Sequence, residues 1–477
     1  MLFILAVAVG ITTRVHVPGV TVIAGATVFA CIAFWMFLSE RPEWPLTVLA
    51  LYLGLLDGYL KLSTGVEALT IVRDVLLYAI VVGILARAAI RRQHLALPPL
   101  GGWVVAFVTV VLVQLLNPAD AGIAHSLAAL RPELEFMPLF FLGYQVVRTP
   151  TRLRRFILIL LVCATANGIA NFVQFNLTPS QFATWGKGYA TYLNGTGSVS
   201  GRTFIDSAGQ VKVRPFGLGT DAGTGAQFGL ISIGGALALL VLGSRRLQGW
   251  VLLLLCLGAP LAIFTGQLRS ATVAGVLAAA FFVVLAVSAR RIIPTLAALA
   301  LGVLITVGVA SLIASNSGNG VFSRYATITP SSLLSSTAAS RGGSLSSIPT
   351  FVTHYPLGGG LGSVGPASRV AGGATQILNG ETGFTFYISD IGIPGLLVML
   401  LFNLKLLGGS LRRIRRMDHE TRVLLAGLAA GLAGLFVEWA SSNPLVTSPG
   451  APYFWFTAGV LAYWLYPRRR AAPLPAS

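Results

Sequence analysis

The sequence predicts an all-α polytopic membrane protein of about 12–14 transmembrane helices, with two long extracytoplasmic loops, the second partly helical. Three observations carry this. First, 55% of the 477 residues are hydrophobic and only 10% are charged, whereas a soluble domain carries about 25% charged residues. Second, apolar runs of about 20 residues recur along the chain, the length a helix needs to cross a bilayer, without the short alternating strands of a barrel. Third, the basic residues behind the net charge of +18 fall in short clusters between those runs. That is the pattern of topology signals and not of a nucleic-acid patch.

The runs follow in order. Met1–Thr13 is apolar but short, and it lacks a basic leader, so it reads as a short first span and not as a signal peptide. Val20–Leu38, Trp44–Leu60, Ala68–Ala89, Gly101–Leu116, His125–Val147 and Phe156–Phe175 come next. A first polar loop, residues 176–214, separates them from Gly225–Leu242, Trp250–Phe264, Ser270–Val287 and Ile292–Ala314. A second loop, residues 316–383, is rich in Ser, Gly, Thr and Pro, and it leads to Phe384–Leu407, Val423–Ala440 and Tyr453–Tyr466. No linker or soluble module interrupts the pattern, so residues 1–477 are expected to form one membrane domain, with the second loop contributing to an active site.

An N-terminus placed inside puts Arg41, Arg87–Arg92, Arg148–Arg155, Arg245 and Arg246, Arg290 and Arg291, the Lys405–Arg422 region and Arg468–Arg470 all on the cytoplasmic side. Both long loops then fall outside, as the positive-inside rule asks, and both termini are cytoplasmic. Cys31, Cys163 and Cys256 lie inside apolar runs and are expected to be small buried hydrophobes. No Cys/His spacing predicts a metal site, and no phosphate-binding Gly-x-x-x-x-Gly-Lys-Ser/Thr stretch is present, so neither metal nor cofactor is expected.

Some charges sit where a membrane charges for them. Asp57, Lys61, Glu67, Arg73 and Asp74 cluster at one outer turn, and Arg131, Glu133 and Glu135 interrupt an apolar run. A central Arg or Asp costs about 2.5–3.5 kcal/mol on insertion scales, so such groups pair or face a watery cavity. Arg131 and Glu135 are spaced to pair on one helix face; a structural pair and a cavity-lining role both remain open.

Two arginines stand at outer span ends. Arg214 precedes the bend Pro215–Gly225, which carries Asp221 and opens directly into a span. Arg269 occupies the tight turn Thr265–Ser270. Each by itself is consistent with snorkelling to lipid phosphate. Together they suit bidentate recognition of a phosphate group.

The order of these pieces resembles the O-antigen ligase and polymerase family of membrane glycosyltransferases. The matching segments are Arg214–Gly219, Thr265–Ser270, Arg341, Tyr355–Gly362 and Asp390–Gly395, so the resemblance covers about Arg214 to Gly395. It implies a metal-independent inverting enzyme of a bacterial cytoplasmic membrane. Such an enzyme takes a glycan from a polyprenyl diphosphate carrier and passes it to an acceptor hydroxyl in cell-surface polysaccharide assembly. Its partners would be that donor, a glycan or glycolipid acceptor and membrane lipid, with no nucleic acid. The family's loop His-Asn pair aligns with Glu381-Thr382, which makes Glu381 the candidate base, with His354 as the alternative. Arg214 and Arg269 would be catalytic clamps, and Arg341, Asp221 and His354 substrate-binding. A transporter or flippase of lipid-linked glycans, or an accessory scaffold, are the competing classes; no repeat between halves supports transport.

Overall fold

The computed structural model describes residues 18–66, 69–92, 97–119, 122–194, 202–205, 211–243, 248–287, 293, 346–364 and 382–466. The expected span Met1–Thr13, all of Ile292–Ala314 but Ile293, most of the second loop, Arg341 and Glu381 lie outside these residues.

In chain order the helices begin with α1 (Pro18–Leu38), α2 (Glu43–Leu55), α3 (Asp57–Thr64), α4 (Thr70–Ile90) and α5 (Gly101–Val113). Then come α6 (Ile123–Leu134), α7 (Pro138–Val146), α8 (Pro150–Phe175), α9 (Pro179–Ala183) and α10 (Lys187–Asn194). A hairpin of β1 (Thr203–Ile205) and β2 (Val211–Val213) precedes α11 (Thr224–Leu242), α12 (Gly249–Thr265) and α13 (Arg269–Ala286). The chain closes with α14 (Ile348–His354), α15 (Gly383–Arg413), α16 (His419–Glu438) and α17 (Gly450–Leu465). Among the described residues the hairpin is the only sheet.

Among the described residues five helices, α8, α11, α13, α15 and α16, are long and apolar enough to cross a membrane, and α2 with α3, bent by 44°, makes a sixth if counted as one span. The fold is therefore helical and fit for a membrane, and several of the expected runs that fall on described residues are not single long helices. The differences have local causes. The described apolar parts of α1, α5 and α12 are shorter helices. The expected His125–Val147 run is broken between α6 and α7, where Pro132 and Pro138 withdraw backbone donors. α15 breaks at Gly392, whose φ of 66° and ψ of −170° leave helical space.

The core is built on α11, which packs against α8, α12, α13 and α16. Small residues allow it: a Cβ on Gly234 would lie 2.3 Å from the Gly427 carbonyl oxygen, and one on Gly431 2.3 Å from that of Ile231. Helices in lipid approach closely where side chains are small, because packing and not water exclusion holds them together. Cys163 and Cys256 are buried as expected, whereas Cys31 is exposed on α1. An apolar run does not distinguish a core position from one facing lipid tails.

Arg245, Arg246, Arg290, Arg291 and Arg468–Arg470 lie outside the described residues, while the described basic residues of these clusters gather at one end of the bundle. There Arg87 donates to Phe37 O (2.5 Å), Arg152 to Val146 O (2.9 Å), Arg154 to Gly243 O (3.1 Å), Arg415 to Val284 O (2.8 Å) and Arg413 to Leu465 O. Every acceptor is a carbonyl at the C-terminal end of a helix, where carbonyls lack intrahelical partners and the macrodipole favours cations. Ion pairs Arg91–Glu40, Arg152–Glu43 and Arg154–Glu420 tie the same loops together. The sequence's grouping of clusters by side thus corresponds to a physical face.

The first loop is not a plain coil. α9, α10 and the hairpin enclose a small core of Leu62, Phe182, Tyr189, Val213 and Phe216, with ring contacts such as Phe182–Tyr189 at 4.9 Å. Two of these anchors, Val213 and Phe216, flank Arg214.

Candidate functional site

The polar end of the bundle is organised by two glycine-rich bends. The first, Pro215–Gly225, is held by an amide stripe on α8. Gln174 Oε1 accepts from the backbone N–H groups of Phe216 (2.8 Å) and Gly217 (2.9 Å), and its Nε2 donates to Gly217 O (2.7 Å). Asn167 Oδ1 accepts from Leu218 N (2.9 Å), while its Nδ2 donates to Gly54 O (2.9 Å). Asn171 donates to Ala262 O (3.1 Å). All three amides are fully buried, and their spacing puts them on one helix face. Gly217 is required: its φ is 66°, and a Cβ would lie 2.6 Å from Asn167 Oδ1.

This bend sets the backbone segments that carry the two candidate arginines side by side. Arg214, half-buried, extends the hairpin by donating its N–H to Arg202 O (2.8 Å). Gly223 N donates to Pro215 O (2.9 Å), and a Cβ on Gly223 would meet Leu268 Cδ2 at 3.3 Å. Leu268 is the N-cap of α13, so Arg269, also half-buried, starts that helix beside the bend. The turn between α12 and α13 is strained: Gln267 is buried with φ of 55°. A non-glycine residue in the left-handed region costs energy and is enriched where function over-determines the backbone.

The N–H groups opening α11 do not form an anion cradle. Those of Thr224, Gly225, Ala226 and Gln227 donate to Asp221 O, Phe216 O, Gly223 O and Gly223 O at 3.0–3.2 Å. Asp221 receives Arg202 in a bidentate pair (2.8 and 3.0 Å) and accepts from Ala222 N (2.7 Å). It pins the hairpin to the bend, and it borders the arginines without being part of their pair of segments.

The second bend, Tyr355–Val364, docks into the break of α15. Gly359 N donates to Ser389 O (2.6 Å) and Ile393 N to Pro356 O (3.2 Å). Gln114 donates to Leu357 O (2.8 Å), Asn117 to Gly358 O (3.1 Å), and His125 Nε2–H to Gly362 O (2.9 Å). Asp390 accepts from Gly362 N (3.3 Å), Ser363 Oγ (2.9 Å) and Val364 N (3.1 Å). The amides that would hold a phosphate in a glycine-rich loop are here taken by protein carboxylate and carbonyl oxygens. His354, exposed at the end of α14, bonds Thr350 O (2.8 Å) and Thr353 Oγ1 (3.3 Å) within its own helix, and it leads into this second bend.

Glu381 is outside the described residues, but its neighbour is well placed. Thr382 is fully buried and caps the start of α15 in a reciprocal pair with Thr385. Gly383 N donates to Trp439 O (2.9 Å) and Ser442 O (3.0 Å). Trp439 follows Glu438, a fully buried carboxylate that closes α16. Gly434, one turn earlier on the same face, lies against Leu230 of α11 and Ala278 of α13. Glu438 therefore sits level with the start of α11, near the Arg269 end of α13. Sequence reasoning missed it, although a carboxylate ending an apolar run just before Trp439-Ala440-Ser441-Ser442-Asn443 was the available signal.

A separate charged lattice lies among α3, α4 and the α6–α7 break. Arg73 binds Glu135 in bidentate fashion (2.7 and 2.9 Å) and reaches Asp57 (3.4 Å) and Asp74 (3.6 Å), while Arg131 binds Asp74 (2.6 Å). The intrahelical Arg131–Glu135 contact exists at 3.6 Å, but links between segments dominate, as in a structural clamp. Both carboxyl oxygens of buried Glu133 lack a hydrogen-bond partner among the described residues.

Among the described residues no group of three or more His, Cys, Asp or Glu side chains is arranged to hold a metal ion. No protein-family model matches the chain, and no curated protein matches it.

Proposed function

We propose that the chain is a membrane glycosyltransferase similar to O-antigen ligases and polymerases, acting on a polyprenyl diphosphate-linked glycan at the polar end of the bundle. The observation that supports this reading is the approach of Leu268 to Gly223, where a Cβ would lie 3.3 Å from Leu268 Cδ2, which sets the Arg214 and Arg269 segments side by side. In this mechanism the two guanidinium groups bind the diphosphate and stabilise the charge that develops on it. The acceptor hydroxyl oxygen attacks the anomeric carbon, the bond to the diphosphate oxygen breaks, and its electron pair leaves on the diphosphate. Glu381, attached next to the buried Thr382 cap, takes the hydroxyl proton. Arg341 and His354 are assigned to substrate binding, and Asp221 to holding the first bend. The membrane is a bacterial cytoplasmic one with both termini cytoplasmic, and the polar end faces outward.

The test is transfer of glycan from a polyprenyl diphosphate donor to acceptor in proteoliposomes. Loss of one charge-stabilising donor costs about 100-fold or more in rate, so Arg214→Ala and Arg269→Ala are each expected to fall at least that far while inserting normally. Wild-type transfer by either variant ends the assignment. Transport is the second reading. The bent α2–α3 pair, the broken α15 and the unpartnered Glu133 favour it, because transporters carry interrupted helices and ionisable groups at depth. Donor flipping without transfer in the same vesicles would replace the first reading by the second.

A further inference from the structure

The basic end of the bundle holds a cavity of about 380 Å³ between α2, α7, α8 and α17. Its walls are apolar, with Leu46, Leu53, Phe156 and Phe456 among them. It runs along α2 from Glu43 to Leu53 and is walled on the other side by Arg155, Phe156 and Ile159 of α8 and Tyr453 of α17. That stretch of α2 rises about 15 Å, close to the roughly 15 Å of one leaflet's hydrocarbon. The volume lies at the lower end of the range for small-ligand pockets, about 300–1,000 Å³, and suits one chain of a lipid better than a whole molecule.

The mouth is charged and asymmetric. Arg152 is committed to Glu43 and to Val146 O. Arg155, exposed at the same rim, makes no hydrogen bond or ion pair with any described residue. Trp44, 56% exposed, stands opposite as an interfacial side chain. A second cavity of about 550 Å³ beside α4, α5 and α7 is also apolar but has no charged residue in its lining. Apolar walls alone would accept any lipid tail; a cation at the rim adds selection for a phosphate.

We propose that this cavity is a binding site for an anionic glycerophospholipid of the leaflet at the basic end, with one acyl chain along α2 and the phosphate on Arg155. The site is independent of the glycan-transfer reading and lies at the opposite end of the molecule. The net positive rim favours an anionic over a zwitterionic headgroup, and an anchored lipid would wedge α2 against α8 and α17.

The test counts lipids retained by the full chain in native mass spectrometry after incubation with phosphatidylglycerol or phosphatidylcholine. Wild type is expected to keep one phosphatidylglycerol. Arg155→Gln is expected to lower its retention at least tenfold, and Ala50→Trp, which fills the slot, to lower retention of both lipids. Arg416→Gln, an exposed arginine of the same end outside the cavity, is the control and should retain lipid normally. Retention by Arg155→Gln equal to wild type, or an equal loss in Arg416→Gln, overturns the proposal. If Ala50→Trp fails to fold, quenching by phosphatidylglycerol with brominated chains decides. The quenching should drop when Trp44→Phe removes the rim reporter, and an unchanged signal also counts against the site.

Discussion

At the basic end, arginines supply the donors and helix C-termini supply the acceptors: Arg87 with Phe37 O, Arg154 with Gly243 O, Arg415 with Val284 O. At the polar end, carboxamides take over: Gln174 both donates to and accepts from the first bend and Asn167 accepts from it, while Gln114 and Asn117 donate to the second, whose Gly362 and Val364 N–H groups are met by Asp390. The difference follows from water. Carbonyls at the basic end lie beside solvent and headgroups, which can replace a lost arginine. The bends fold inward among buried residues, where each unmet N–H or C=O costs its full desolvation. An amide offers donor and acceptor together and carries no charge, so it can bind both edges of a turn in the interior. The end that carries the candidate site is therefore the less replaceable one.

The comparison breaks or holds first at Gly362. Its φ is 79°, and a Cβ would lie 2.4 Å from His125 Nε2, the atom that donates to its carbonyl. Gly362→Ala is expected to cost more than about 3 kcal/mol, adding backbone strain to the loss of a buried bond. A thermal-unfolding midpoint in detergent close to wild type would show that the second bend is looser than its bonds indicate.

Gln174→Leu comes next. It strips acceptors from Phe216 N and Gly217 N and a donor from Gly217 O. Leaving such groups buried and unmet costs about 2–3 kcal/mol, measurable in the same unfolding assay. Because the bend positions Arg214, glycan transfer is expected to fall further than stability alone accounts for. Loss of stability with full transfer would detach the bend from the chemistry.

These residues also mark where the sequence was readable. Charge clustering grouped the described basic residues at one end, since arginines between apolar runs need no tertiary information to be sorted together. Arg214 and Arg269 were visible as residues at span ends, but the approach of their segments depends on Leu268 lying beside Gly223, a relation that no local pattern encodes. The Asn167, Asn171, Gln174 stripe lay in plain view on an apolar run, with spacing that announces one helix face, yet its partners are backbone atoms more than 40 residues away in the case of Gln174 and Gly217. The first loop looked polar on average, while three of its residues, Phe182, Tyr189 and Val213, join Leu62 and Phe216 in a core. Composition averages hide a core that small. Glu438 was passed over because one carboxylate at a span end has no meaning until Gly434 shows which helices its face meets.

The smallest effect is expected at the basic end. Asp418 is the N-cap of α16, and its Oδ2 accepts from Thr421 N at 3.0 Å. That hydrogen bond from the Thr421 backbone holds its carboxyl below the ordinary value, against a weaker opposing effect of burial. A carboxylate whose folded pKa lies below its unfolded value, about 3.9, contributes stability above that value and loses it as pH falls through the folded one. Glu40, Glu43 and Glu420 lie at the same end in ion pairs of their own, so the informative quantity is the gap between wild type and Asp418→Asn. Asparagine keeps a capping acceptor but not the charge that favours a helix N-terminus. The gap in unfolding midpoint should be small and steady above about pH 5 and should close below about pH 4. A gap that widens on acidification would mean that the charge of Asp418 opposes folding, and that contacts at this end are less interchangeable than the arginine–carbonyl pattern implies.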